Sequence, residues 1–168
     1  LDWTKQLWDK VGTPSHFLNV NPLTPSMTPI DFQSLMEESL GMFHAKVFGS
    51  HWKEYPSQFP PIVLIPEMKS NKTTKNTYEM FHLHGIICIE KEWLVKRYEN
   101  EFPRYYKKKV RDFRRRNRTN PQLQMPAIKF IRFNQALKDE CFAYCTKSYG
   151  YKDGYGLEDV FVSGKKKE

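Results

Sequence analysis

The sequence predicts an α+β domain: an antiparallel sheet with its helices packed mainly on one face. Two observations predict it. Short runs rich in β-branched and aromatic residues recur at 16–22, 62–65, 81–89 and 127–133. Between them lie two longer stretches with apolar residues at helical spacing, one ending near Val47 and one spanning Lys91 to about Asn117. A length of 168 residues suits one domain with a real core.

Trp3, Leu7, Trp8 and Val11 are spaced as one face of a short helix that Pro14 ends. His16 to Pro22 reads as a short strand entering a turn. Thr28-Pro29-Ile30-Asp31 is a helix start, with Thr28 as N-cap, Pro29 at the first position and Asp31 near the positive end. Leu35, Met36, Leu40, Phe43 and Val47 then give that helix an apolar face. Residues 49–61 are loop. Ile62-Val63-Leu64-Ile65 is a strand expected to end at Pro66-Glu67, and a polar connection from Lys69 to Asn76 leads into the next strand, Phe81 to Ile89. Two strands so joined form an antiparallel pair, which brings Glu67 near the start of the later strand.

Lys91 to Asn117 is helical, and Pro103 is expected to kink or split it. Ala127 to Phe133 alternates apolar and basic residues as a half-buried strand does. Asn134 then caps a helix running from Gln135 to Ser148. The remainder loses regular pattern except at Val160-Phe161-Val162. The expected division is therefore a domain over residues 1–152 and a C-terminal tail or linker over 153–168. The first six main elements follow the β-α-β-β-α-β order of the ferredoxin-like, split βαβ fold. In that arrangement one sheet face is left for a ligand.

Charge narrows the partners. The chain carries +8 at neutral pH, and 15% of its residues are aromatic, a pairing that suits nucleic acid before membrane. Eight of the twelve residues from Lys107 to Arg118 are basic (Lys107, Lys108, Lys109, Arg111, Arg114, Arg115, Arg116 and Arg118), and Lys129 and Arg132 add to them on the following strand. Such a run is usually a solvated helix face; here phosphate contact is favoured, with nuclear import a further reading. Three cysteines with no Cys-x-x-Cys pair argue against a disulfide scaffold and place the chain in a reducing, intracellular setting. No signal-peptide core or membrane-length apolar run is present, and the chain's ends read as those of an excised fragment.

The chemistry concentrates in two places. On a strand His82 and His84 share one face, away from Phe81 and Leu83. Two imidazoles with a carboxylate nearby form a mixed N/O site for Mn²⁺, Mg²⁺ or Zn²⁺. The bland alternative is two histidines satisfied by neighbouring polar groups. Further on, Tyr144-Cys145-Thr146-Lys147 puts a phenol and an ammonium on one helix face. A phenol ordinarily titrates near ~10, so as a nucleophile at neutral pH it needs a metal or cation to stabilise the developing charge. These parts suit phosphodiester transesterification, in which a tyrosine keeps the phosphate as an ester and frees a 3′-hydroxyl.

His82-Leu83-His84 followed by Tyr144-Cys145-Thr146-Lys147 resembles the HUH endonuclease domain of rolling-circle replication initiators, the Rep proteins of small circular single-stranded DNA viruses, phages and plasmids. Phe17-Leu18-Asn19-Val20-Asn21-Pro22 stands, loosely matched, where that family has its first motif. The resemblance spans roughly residues 15–152 and rests mainly on the second and third motifs.

It implies a metal-dependent, sequence-specific nickase and ligase that acts on single-stranded DNA through a covalent 5′-phosphotyrosine and initiates rolling-circle replication. Tyr144 would be the single nucleophile, Lys147 would hold the phosphate or tyrosine, and His82 and His84 would ligate Mn²⁺ or Mg²⁺. The family's carboxylate ligand would be Glu67, with Glu79 as the fallback and His51 a remoter candidate. Tyr149 and Tyr151 are out of phase or beyond the helix. The implied substrate is an origin stem-loop, in a host nucleus or bacterial cytoplasm, with a helicase domain or host replication proteins outside this chain. No Gly-x-x-x-x-Gly-Lys-Ser/Thr loop occurs within it. A contrasting reading is a non-catalytic single-strand-binding module built on the same sheet, although no RRM signature is present.

Overall fold

The computed structural model describes residues 2–69, 80–120, 123, 125–146 and 157–164. Its strands are β1 (His16–Asn21), β2 (Ile62–Lys69), β3 (Met80–Ile87), β4 (Ala127–Arg132) and β5 (Phe161–Ser163). They form one open antiparallel sheet in the order β4-β1-β3-β2-β5. The helices are α1 (Asp2–Lys10), α2 (Pro29–Phe48), α3 (Glu92–Arg116) and α4 (Lys138–Thr146). Among the described residues, no helix is long and apolar enough to cross a membrane.

Local chemistry sets the helix boundaries. Thr28 caps α2 through a reciprocal pair: the Asp31 N–H donates to Thr28 Oγ1 at 3.2 Å, and the Thr28 N–H donates to Asp31 Oδ2 at 3.0 Å. Of the kink or split expected at Pro103, the split does not occur: α3 runs unbroken from Glu92 to Arg116. Pro103 is half-buried, while Phe102 and Tyr106 beside it are fully buried in the core. Tertiary packing therefore holds the segment helical across one missing backbone donor.

Strand β2 also runs past its expected end, through Pro66 and Glu67 to Lys69. The Cys88 N–H donates to Pro61 O at 3.0 Å, so odd-numbered β2 residues turn their backbone groups towards β3 and even-numbered ones away. Pro66 is even-numbered and lies past Leu64, the last residue paired with β5. Its missing N–H thus costs no ladder bond. Within the 153–168 segment, Phe161 is buried and packs edge-on to Phe32 at 6.3 Å, so the weak pattern at Val160-Phe161-Val162 marks a fifth strand.

The alternation of the strands divides the core in two. Leu18, Val20, Leu64, Leu83 and Ile128 face α2 and α3 and pack with Phe43, Tyr98, Phe102 and Tyr106. Val63, Ile65 and Ile86 face the opposite way and pack with Trp8 and Val11, from α1 and the turn after it, and with Cys145 of α4. The long helices do lie on one face. The other face is only partly open, because two short helices cross it.

Candidate metal and nucleophile site

The site grows out of strand register. Glu67 on β2 stands directly opposite His82 on β3. One pleat further on, Ile65, His84, Asn19 and Lys129 form a row across β2, β3, β1 and β4. Leu18 and Val20 are buried on the α2/α3 side, so Asn19 must face the other way with the histidines. Gly85 follows His84, where a Cβ would come within 1.8 Å of the Val63 carbonyl oxygen. Any side chain there would force β2 away from β3 close to the Glu67–His82 pair.

Glu67 and His84 are buried and His82 is half-buried. Glu67 Oε2 lies 3.1 Å from His82 Nε2 and 3.4 Å from His84 Nε2. The three ligand atoms all lie within 4.8 Å of one another. Donors bound at ~2.1 Å to one divalent ion sit roughly 3.0–3.4 Å apart at neighbouring corners of its coordination shell. The Glu67–His82–His84 group can therefore hold a metal ion, and its two imidazoles and one carboxylate form the expected N/O set. Of the other carboxylate and histidine candidates, Glu79 lies outside the described residues. His51 sits on the surface after α2, paired with Glu54 at 3.1 Å, and is not part of the group.

Tyr144 comes to the same place. Its ring centroid is 4.9 Å from that of His84 and 6.3 Å from that of Phe17. Phe17 itself stacks on His84 at 5.8 Å and 20°, which fixes the plane of the imidazole. Tyr144 is 47% exposed, while Cys145 beside it is buried, so α4 holds its phenol towards solvent on the side of the histidines. The helix is held by neighbours on three points. Phe142 packs edge-on to Trp8 at 5.5 Å, Lys138 pairs with Asp9 at 2.9 Å, and Asn134 Oδ1 accepts the Ala136 N–H at 3.0 Å. That cap opens a single 3₁₀ turn (Gln135–Leu137) ahead of α4, where sequence suggested one continuous helix. Lys147, Tyr149 and Tyr151 lie outside the described residues.

The sequence did not single out Cys141, one turn before Tyr144. Burial and, secondarily, the Glu140 charge push its thiol pKa up, so it stays protonated at neutral pH and is a poor competing nucleophile. Phe17 and Asn19 were noticed only as part of a motif. Their period-2 phase with Leu18 and Val20 was the signal that they share a face.

The basic residues are divided by the fold. Lys107, Lys108, Lys109, Arg111, Arg114, Arg115, Arg116 and Arg118 belong to α3 and the turn after it, which packs against the face opposite Tyr144. Arg114 serves structure: its Nε donates to Thr24 Oγ1 at 3.0 Å, and Nη2 donates to the carbonyls of Pro22 and Leu23 at 3.1 and 2.7 Å. Burial lowers its pKa, partly offset by Tyr106. Lys109 pairs with Glu38 at 2.8 Å and Arg115 with Asp112 at 3.0 Å. Lys108, Arg111, Arg116 and Arg118 face solvent. Lys129 is exposed on the site face, whereas Arg132 pairs with Glu92 and Glu99 of α3 at 3.3 and 3.1 Å.

Comparison with known proteins gave no match to this chain, whether among family models, curated proteins or solved structures.

Proposed function

We propose that this chain is a metal-dependent endonuclease and ligase for single-stranded DNA, of the HUH kind that initiates rolling-circle replication. One observation carries the reading: Glu67, His82 and His84 converge within 4.8 Å, and the Tyr144 ring stands 4.9 Å from that of His84. A metal-ligand set beside an exposed phenol is what phosphoryl transfer to tyrosine requires. The strand order β4-β1-β3-β2, with α2 and α3 as crossovers, supports the ferredoxin-like, split βαβ reading, with β5 added at the β2 edge.

In this mechanism Glu67, His82 and His84 hold Mn²⁺ or Mg²⁺, which supplies Lewis-acid polarisation of the scissile phosphate when bound. Tyr144 Oη attacks phosphorus, a new Oη–P bond forms and the P–O3′ bond breaks. The phenolic proton passes to solvent, and the departing 3′-oxygen gains one. The 5′-phosphate stays on Tyr144, and attack by a 3′-hydroxyl reverses the step and rejoins the strand. Lys147, three residues after Tyr144 in the sequence, is the proposed phosphate partner. Phe17 holds the His84 ring in position, and Lys129, in the His84 row, supplies a cation on the same face. The substrate is single-stranded DNA at an origin stem-loop, met in the nucleus or bacterial cytoplasm. A helicase domain or host replication proteins act from outside this chain.

The test is a pool of single-stranded DNA oligonucleotides incubated with the protein and Mn²⁺, then run on a denaturing gel. A covalent protein–DNA band that disappears with EDTA and with Tyr144→Phe is the expected result. A band surviving Tyr144→Phe moves the nucleophile elsewhere. Salt-dependent binding with no band favours the single-strand-binding module, which the Phe17–His84–Tyr144 ring cluster would also serve.

A further inference from the structure

We infer that Glu140 is the proton acceptor for Tyr144: its carboxylate carries the phenolic proton from the nucleophile to solvent as the phosphotyrosine forms, and returns one when the strand is rejoined. The inference rests on the nicking reading above. It starts from a cavity of ≈ 490 Å³ between α4 and the β1–β4 edge, which Glu140, Cys141, Tyr144 and His84 all line.

Helix geometry brings the carboxylate and the phenol together. Both residues belong to α4 and lie four apart, so they are neighbours on one face, with roughly 5–6 Å between their Cβ atoms. A helical side chain leans towards the N-terminus and covers the turn before its own. Tyr144 therefore lies over the turn that holds Glu140 and Cys141, where a carboxylate reaches the phenol directly or through one water. The Glu140 charge is felt within that turn, because it helps to push the Cys141 thiol pKa up.

The rest of the lining leaves the task to Glu140. In the proposed function His84 holds the metal. Asn19 offers an amide, which takes no proton at neutral pH, and Arg132, already protonated, is turned to Glu92 and Glu99 of α3. Cys141 keeps its own proton. Among the described residues Glu140 pairs with no cation, so its oxygens are open to a donor. Asp139, exposed in the same turn, does not line the cavity. Either acid suits the positive end of α4, but only the one at 140 shares a face with Tyr144.

In the forward step the Tyr144 Oη–H bond breaks and its proton joins a Glu140 oxygen. The Oη–P bond forms and the P–O3′ bond breaks. The 3′-oxygen takes a proton from water, and Glu140 releases its own to solvent. On rejoining, the 3′-hydroxyl attacks phosphorus and loses its proton to solvent, while protonated Glu140 gives its proton to the departing phenolate.

The test measures the single-turnover rate of adduct formation with single-stranded oligonucleotides and Mn²⁺, and strand retention on the same samples. Glu140→Gln and Glu140→Ala should slow adduct formation by ~10²-fold or more with retention undiminished. Added formate should restore rate to Glu140→Ala, where the missing carboxylate leaves room for it, and should change neither the wild type nor Tyr144→Phe. Asp139→Asn should keep the wild-type rate. A wild-type rate in both Glu140 variants overturns the inference and leaves the nicking reading standing. So does a slow Glu140→Ala that formate does not rescue, or an Asp139→Asn as slow as Glu140→Gln. A wild-type protein that forms no adduct overturns the nicking reading and this inference with it.

Discussion

The two faces of this sheet are made from alternate residues of the same strands, and they are built to different ends. On one, Leu18, Val20, Leu64, Leu83 and Ile128 meet two long helices in a continuous apolar layer. Even its polar members are closed off: the buried His44 ring lies 2.6 Å from the Tyr98 hydroxyl and stacks on Phe59 at 4.5 Å. On the other, the same pleat carries Phe17, Asn19, Glu67, His82, His84 and Lys129, beneath two short helices that leave a cavity open. The difference shows how one strand can face a packed core on one side and a candidate metal site on the other. Period 2 keeps the two sides apart, so a rigid core fixes the spacing of Glu67, His82 and His84 on the far side of the same strands.

If that division holds, substitutions on the open face should alter chemistry with little effect on folding, and those on the closed face the reverse. The largest effect is expected for Tyr144→Phe. Covalent adduct should fall by at least ~10³-fold on the gel, while the urea midpoint stays within error, since the lost hydroxyl belongs to a half-exposed ring. Phe43→Ala should do the opposite. Its ring packs 4.6 Å from Tyr98 and 5.6 Å from Phe102, so truncation should cost ~3–5 kcal/mol in urea unfolding with adduct yield per folded molecule unchanged.

A third effect comes from pH. Burial pushes the His44 imidazole down to about 4, whereas the unfolded chain takes up that proton near 6.5. Between those values the unfolded state binds more protons, so stability should fall as pH drops through that window and level off below about 4. The loss should approach about 3 kcal/mol. Urea titrations at pH 7 and 4.5 check it, and a His44→Gln variant should flatten the difference. Smaller still, Glu67→Gln should weaken Mn²⁺ binding by at least ~10-fold in calorimetry, through loss of the anionic ligand. The smallest effect should come from Lys108→Glu with Arg111→Glu, two solvent-facing cations on the closed side. If α3 touches phosphates, the slope of log affinity against log salt should fall by roughly 1–2. An unchanged slope would restrict DNA contact to the open face.

Much of this was legible in the chain. The Thr28 cap, the two long helices, four of the strands and the common face of His82 and His84 follow from local rules of spacing and capping. Glu67 was reachable because an antiparallel pair brings the end of one strand beside the start of the next. What the chain concealed has a common cause. Pro66 inside β2, Pro103 inside α3 and the short β5 all run against local preference, and each is decided by neighbours distant in sequence. Pro66 is tolerated because β5 ends before reaching it, and α3 stays helical because Phe102 and Tyr106 are held in the core.

The sequence by itself determined the period of each element, and with it which side chains share a face, His82 with His84 among them. Only the tertiary structure decided that α1 and α4 lie across the face that carries His82 and His84, that Arg114 bonds the 22–24 turn, and that a cavity opens beside Tyr144. The physical reason is one of range. Periodicity and capping are set within a turn or a pleat, whereas the docking of a short helix such as α4 depends on Trp8, Asp9 and the sheet residues beneath it, contacts that no local pattern encodes.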